Sequence, residues 1–144
     1  MAKTVRDVMT PSVRTVKTDQ PLTEAARVMK EEDVGSVPIV DNGHLVGIVT
    51  DRDIVTRVVA EHRDPDTVRA GEVASHDLVT VEPDQKLDEA ADMMAQHQVR
   101  RLPVVEGDRL VGMLSQADVA SETSGKKSGD MLGQISEPSA TDRA

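Results

Sequence analysis

The sequence predicts an α/β fold built from two tandem β-α-β-β-α repeats packed with pseudo-two-fold symmetry, and three observations carry that prediction. A shift of 65 residues lays positions 5–54 on 70–119, and 17 of those 50 positions are identical without a gap. Within each copy the hydrophobic period changes in the same order, from extended to helical, to extended twice, to helical. The chain has 144 residues, enough for one sizeable core or two small units that share one. Two copies are too few for an open solenoid, whose end faces need caps.

Each copy opens on a short extended piece, Val13–Val16 or Leu78–Val81. Leu22, Ala25, Ala26 and Met29 then recur at i, i+3, i+4 and i+7, as do Leu87, Ala90, Ala91 and Met94, each set forming one face of a helix. The paired alanines let that helix approach its neighbour closely. Val37-Pro38-Ile39-Val40 reads as a strand with its proline near the start, where a missing N–H is tolerated. Asp41-Asn42-Gly43 is a hairpin signal, and Leu45–Val49 is the returning strand. From Thr50 to about Ala60, Ile54, Val55, Val58 and Val59 line a second helix. The repeats span 5–62 and 68–122, joined by the polar connector Glu61–Thr67. Residues 123–144 are rich in Gly, Ser and charge and are expected to be a disordered tail.

Composition excludes several function classes. The net charge is −9 and no residue is aromatic, so both the basic face and the stacking platform of a nucleic-acid binder are missing. No apolar run is long enough for a membrane helix, and no signal core precedes the patterned sequence. With no cysteine there is no disulfide, thiol catalysis or cysteine zinc site, which suits a cytoplasmic protein. The four histidines, at 44, 62, 76 and 97, show no ligand spacing, and no metal site is expected. Nothing resembles a nucleophile elbow or a Gly-rich phosphate cradle, so no enzyme is expected.

Val34-x-x-Val-Pro-Ile-Val-Asp41 followed by Leu45-Val-Gly-Ile-Val-Thr-Asp-Arg-Asp-Ile54 resembles the signature of the cystathionine β-synthase (CBS) domain. Val99-Arg-Arg-Leu-Pro-Val-Val-Glu106 with Leu110-Val-Gly-Met-Leu-Ser-Gln-Ala-Asp-Val119 repeats it. The resemblance covers residues 5–120 and is strongest to stand-alone bacterial CBS pairs, including those of the hypoxic-response type. It implies an energy- or stress-sensing module that binds AMP, ADP or ATP as a ligand, not a cofactor, in two clefts between the repeats. On that resemblance Asp53 and Asp118 hold ribose hydroxyls, and Thr50 and Ser115 contact ribose or phosphate. Thr15-Val16 and Thr80-Val81 offer backbone groups to the adenine edge, and Arg100 and Arg101 meet phosphates. With no effector domain attached, the output is expected to pass to an unidentified protein partner.

Each site residue also has a plainer reading. Ser or Thr at the N-cap with an acid at N3 is a capping box worth around 1 kcal/mol without any ligand. Against it, both copies use the shorter Asp in place of Glu or Gln, and a helix N-terminus offers N–H groups that suit a phosphate. Arg100 and Arg101 also fit a solvated pair at a helix end, yet adjacent arginines suit bidentate phosphate contacts. Their repeat-1 counterparts are Gly35 and Ser36, so the two sites are expected to differ. Met29, Met93 and Met94 sit at core spacing. The helix faces carrying Ile54, Val55, Val58, Val59 and Val119 predict a homodimer. The competing function is a ligand-free interaction module that has lost nucleotide binding.

Overall fold

The computed structural model describes residues 3–122 and is mixed α/β, with two tandem repeats. In chain order the elements are helix α1 (Val5–Val8), strands β1 (Thr10–Pro11) and β2 (Val16–Lys17), helix α2 (Leu22–Glu32), strands β3 (Ser36–Asp41) and β4 (His44–Thr50), and helix α3 (Asp51–Ile54). A π-helical turn (Val55–Val59) follows, then helices α4 (Ala70–Val73) and α5 (Leu87–His97), strands β5 (Arg101–Glu106) and β6 (Arg109–Ser115), and helix α6 (Gln116–Glu122). The expected tail lies outside the described residues.

The compact units of the structure are not the repeats of the sequence. One unit comprises residues 14–78, the other residues 3–13 with 79–122. The leading segment of each copy therefore packs on the other copy's core. α1, only one turn long, is held there by the full burial of Val5 and by hydrogen bonds to the Pro83 and Gln85 carbonyls.

In the unit of residues 14–78, β2 runs parallel to β3, with Val16 level with Ile39, and β3 and β4 form an antiparallel hairpin. The hairpin turns at Asn42 and Gly43, both at positive φ (52° and 83°), as a two-residue turn between twisted strands requires. Leu22, Ala25 and Val28 of α2 pack on Val37, Ile39 and Val49, and Val68, Ala70 and Val73 close the same core. The expected helix face was Leu22, Ala25, Ala26 and Met29; Ala26 is exposed and Val28 takes its place in the core. The second helix is also shorter than expected: four α-helical residues give way to the π turn. There Val58 is buried while Val55 and Val59 are 57% and 60% exposed.

In the other unit, β5 and β6 form the matching hairpin, and β1 pairs antiparallel with β6, Thr10 against Met113. Val5 is fully buried among Val81, Leu87, Ala90, Met94, Leu102 and Leu114. The N-terminal segment is tied down by Val5 N–H to the Gln85 carbonyl, Arg6 N–H to that of Pro83, and Leu87 N–H to that of Lys3, each 2.9 Å.

Candidate functional site

The β4–α3 and β6–α6 junctions hold the Thr50-x-x-Asp53 and Ser115-x-x-Asp118 sequences as closed capping boxes. Thr50 N–H donates to Asp53 Oδ2 (2.9 Å) and Asp53 N–H to Thr50 Oγ1 (3.1 Å). The Ser115 pair is the same with a longer first bond, 3.3 Å and 3.1 Å. The box fixes the carboxylate rotamer while using one of its oxygens and a hydroxyl lone pair. A second carboxylate oxygen and the hydroxyl proton remain in the inventory of each box, and a ribose diol needs that acceptor. All four side chains are half-buried.

One expectation changes here. In repeat 1 the N–H groups of the first helical turn are occupied: Asp51 N–H bonds the Gly35 carbonyl (2.9 Å), Arg52 N–H bonds Asp51 Oδ1 (2.8 Å), and Asp53 N–H bonds Thr50. That helix end does not offer its amides to a phosphate, because the Gly35 carbonyl, the Asp51 carboxylate and the Thr50 hydroxyl have already satisfied them. In repeat 2 the Gln116 N–H is taken in the same way by the Arg100 carbonyl at 2.7 Å.

Register decides what stands beside each box. Ser36 is directly opposite Thr50, and Arg101 is directly opposite Ser115. Residues opposite one another in an antiparallel pair share a face with their Cβ atoms about 5 Å apart. Thr50 and Ser36 thus lie on the sheet face away from Val37, Ile39 and Val49, which belong to the α2 core. Arg100 and Arg101 are both half-buried.

The short strands split the expected adenine contacts. Val16 and Val81 are 2% and 1% exposed, with their side chains in the two cores. Val81 donates its N–H to the Pro103 carbonyl (3.0 Å) and accepts from Val105 N–H (2.9 Å), so both its backbone groups are spent on β5. Strand alternation points the backbone groups of Thr80, and likewise of Thr15, away from the neighbouring strand.

Thr15, Val16, Thr50 and Asp53 thus fall in the unit of residues 14–78, and Thr80, Val81, Arg100, Arg101, Ser115 and Asp118 in the other. Two residues missed by sequence reasoning close the turn after each short strand: Gln20 Oε1 accepts from Lys17 N–H (2.8 Å) and Gln85 Oε1 from Glu82 N–H (2.7 Å). Their identity across the repeat was the available signal. Arg14, also missed, bonds Glu31 Oε1 at 2.6 Å. That hydrogen bond holds the Glu31 carboxyl below the usual carboxylate range and raises the guanidinium. Two shallow depressions lie elsewhere, one of about 310 Å³ lined by Thr18, Asp19, Arg69, Gly71 and Glu72, the other of about 360 Å³ lined by residues around Glu82–Gln85. Neither contains a predicted site residue.

Comparison with known proteins matches the CBS domain to residues 5–60 and 70–125. The CBS domain-containing protein YhcV of Bacillus subtilis is 44% identical over 133 residues, covering 92% of this chain and 94% of YhcV. Hypoxic response protein 1 of Mycobacterium tuberculosis is 42% identical over 118 residues, covering 81% of this chain and 82% of that protein. A crystal structure of Hypoxic Response Protein I with two coordinated zinc ions superposes with a TM-score of 0.77 at 41% identity, over 85% of this chain and all of that one. CBSX2 in complex with AMP superposes with a TM-score of 0.72 at 26% identity, over 83% of this chain and 94% of that one. Among the described residues no group of three or more His, Cys, Asp or Glu side chains is placed to hold a metal ion.

Proposed function

The chain belongs to the CBS-domain family as a two-domain regulatory module, and on that premise we propose that it is a cytoplasmic, homodimeric sensor that reversibly binds an adenosine nucleotide: AMP, ADP or ATP. The observation that carries the reading is the pair of boxes, each fixing an aspartate at the end of its hairpin, in the same unit as a short strand whose Thr15 or Thr80 backbone turns away from the sheet. The AMP complex of CBSX2 supports the ligand class. The resemblance implies two clefts between the repeats, and so up to two nucleotides per chain. To signal, the ligand must bind two states of the module unequally, since equal affinity shifts nothing.

The two sites are unequal in this reading. Arg101 faces Ser115, whereas Ser36 faces Thr50. Repeat 1 also opens its helix with Asp51-Arg52-Asp53 where repeat 2 has Gln116-Ala117-Asp118. A charge-assisted bond from Arg101 to a phosphate contributes about 1.5–3 kcal/mol, roughly tenfold to a hundredfold in affinity. The competing reading, a ligand-free interaction module, draws on the boxes being self-satisfied and on exposed Val55 and Val59.

The test starts from absorbance. With no Trp or Tyr the chain is nearly blind at 280 nm, so copurified nucleotide is read as a 260 nm band and identified by mass spectrometry. Titration of nucleotide-free protein with AMP is expected to give one strong and one weak site, and Arg101→Ala to remove the strong site while adenosine binding persists. Two equal sites, or an Arg101→Ala variant that binds as before, refutes the asymmetry. No binding at all favours the interaction module.

A further inference from the structure

Asn42 is the sole asparagine of the 144 residues, and a glycine follows it. It stands exposed at the tip of the β3–β4 hairpin, where its φ of 52° and the 83° of Gly43 match a type I′ turn. The register shift between Ile39 and Val40 sets that tip apart from the rest of the ladder. Four pairs, from Ser36 with Thr50 to Ile39 with Gly47, lie on one side of the bulge, and only Val40 with Leu45 and Asp41 with His44 on the other. Repeat 2 builds a matching hairpin, with its register shift at the equivalent place between Val104 and Val105. Its tip differs: Gly107-Asp108, with the glycine first and at φ 66°, replaces Asn42-Gly43. Asp-Gly and Gly-Gly serve a type I′ turn as well as Asn-Gly does, so folding does not demand the asparagine.

An asparagine side-chain amide is an electrophile for the main-chain nitrogen of the next residue, and a glycine nitrogen has no neighbouring Cβ to hinder it. Gly43 N gives its proton to solvent and attacks Asn42 Cγ; the Cγ–Nδ2 bond breaks and Nδ2 leaves as ammonia. Water then opens the five-membered imide at one carbonyl or the other, leaving aspartate or isoaspartate at position 42. A water is consumed, an ammonia is released, and no oxidant is needed. The turn restrains this chemistry. Type I′ geometry sets ψ of Asn42 near about +30°, and ring closure requires the Gly43 nitrogen to swing toward Cγ. The tip must open first, and its opening breaks only the two pairs outside the bulge.

We propose that Asn42 is a self-modification site and that opening of the two-pair hairpin tip sets its rate. The reaction gives repeat 1 alone a further negative charge at its tip. The isoaspartate product also routes the main chain through the side-chain carbon, adding a backbone atom to a two-residue turn and undoing the Asp41–His44 pair. The bulge confines that damage, so the Thr50 end of the hairpin keeps its register. The proposal is independent of the nucleotide reading.

The experiment incubates the full chain, and beside it the free peptide of residues 38–47, at mildly alkaline pH and follows position 42 by peptide mapping that separates isoaspartate from aspartate. The full chain is expected to gain the mass of an amide turned acid at Asn42, as a mixture of both products, several-fold more slowly than the peptide. Asn42→Gly, which keeps a type I′ turn without the amide, is expected to stay unchanged. In the isoaspartate fraction the amides of residues 41–45 are expected to exchange faster than in Asn42→Asp, while those of residues 47–50 exchange as before. A chain that stays intact while the peptide converts overturns the site. Conversion as fast as in the peptide overturns control by the hairpin, and equal exchange in the isoaspartate fraction and Asn42→Asp refutes the broken pair.

Discussion

Replacing Gly112 by alanine tests whether the N-terminal segment is locked to its unit by a close backbone crossing. A Cβ built at Gly112 meets the Thr10 carbonyl oxygen and Met9 Sδ, both at 2.8 Å. The sulfur sits on a flexible side chain and can yield. The carbonyl belongs to β1, which pairs with β6 through Thr10 and Pro11, and must retreat with its strand. Overpacking of this kind costs typically about 1–3 kcal/mol, and the backbone contact puts this site in the upper half. Without the crossing, the same change stabilises by roughly 0.4–1 kcal/mol, because alanine has fewer unfolded conformations to lose. The opposed signs make the experiment decisive. A net loss of about 1–2.5 kcal/mol lowers the melting temperature by roughly 4–10 °C for a chain of this size. Hydrogen exchange locates the damage: the Val5 and Arg6 amides, bonded to the Gln85 and Pro83 carbonyls, are expected to exchange faster than the β5–β6 ladder. Gly107→Ala is the control, since nothing lies within 4 Å of its Cβ and only its φ of +66° penalises the change. It is expected to cost about 1 kcal/mol and leave the Val5 and Arg6 amides as protected as before. A Gly112→Ala protein that melts at or above the unaltered temperature refutes the reasoning.

The homodimer is tested by sedimentation: the 15.5 kDa chain is expected to run as a dimer at micromolar concentration, and Val55→Glu with Val59→Glu, which charges the 57% and 60% exposed pair, is expected to give a monomer. An unaltered chain that sediments as a monomer overturns it. The Asp7 carboxyl is held below the usual carboxylate range, first by the Thr4 N–H and then by the Thr4 hydroxyl. Its stabilisation is therefore present above the ordinary carboxylate pKa and is lost as pH falls through the lowered one. The melting-temperature difference between the unaltered chain and Asp7→Ala is expected at neutral pH and to shrink below about pH 4; a difference that persists at low pH contradicts this.

What was legible in the sequence was what a single copy's pattern determines. The two hairpins, α2, α5 and both boxes follow from periodicity and turn chemistry that act over a few residues. The exchange of leading segments was not legible, because α1 and α4 span four residues each and carry no period long enough to name a partner. One sign was available: Gly47 and Gly112 recur inside strands, where glycine marks a close backbone approach. At Gly47 the approaching group is the Ser75 carbonyl, 2.8 Å from a built Cβ, on the segment that repeat 2 contributes to the unit of residues 14–78. The second helix failed for a different reason. Ile54, Val55, Val58 and Val59 recur at i, i+1, i+4 and i+5, one face of a regular α-helix, but the chain passes after Ile54 into a π turn whose wider period rotates that face. The π turn buries Val58 and exposes Val55 and Val59.

The boxes show why a motif alone could not settle the site. Thr4-x-x-Asp7 forms the same closure at the start of α1, with Thr4 N–H donating to Asp7 Oδ2 at 2.9 Å. Among the described residues no strand leads to it, whereas Thr50 and Ser115 end β4 and β6. Closure of the box is therefore a local property of Thr-x-x-Asp before a helical turn, worth around 1 kcal/mol wherever it occurs. What distinguishes Thr50 and Ser115 is the long-range register that sets Ser36 against one and Arg101 against the other. Since the boxes are alike in both copies, any difference in ligand choice between the repeats must come from the residues opposite and beside them. Those residues differ in charge: Arg100 and Arg101 in one copy, and Gly35, Ser36 and Asp51 in the other.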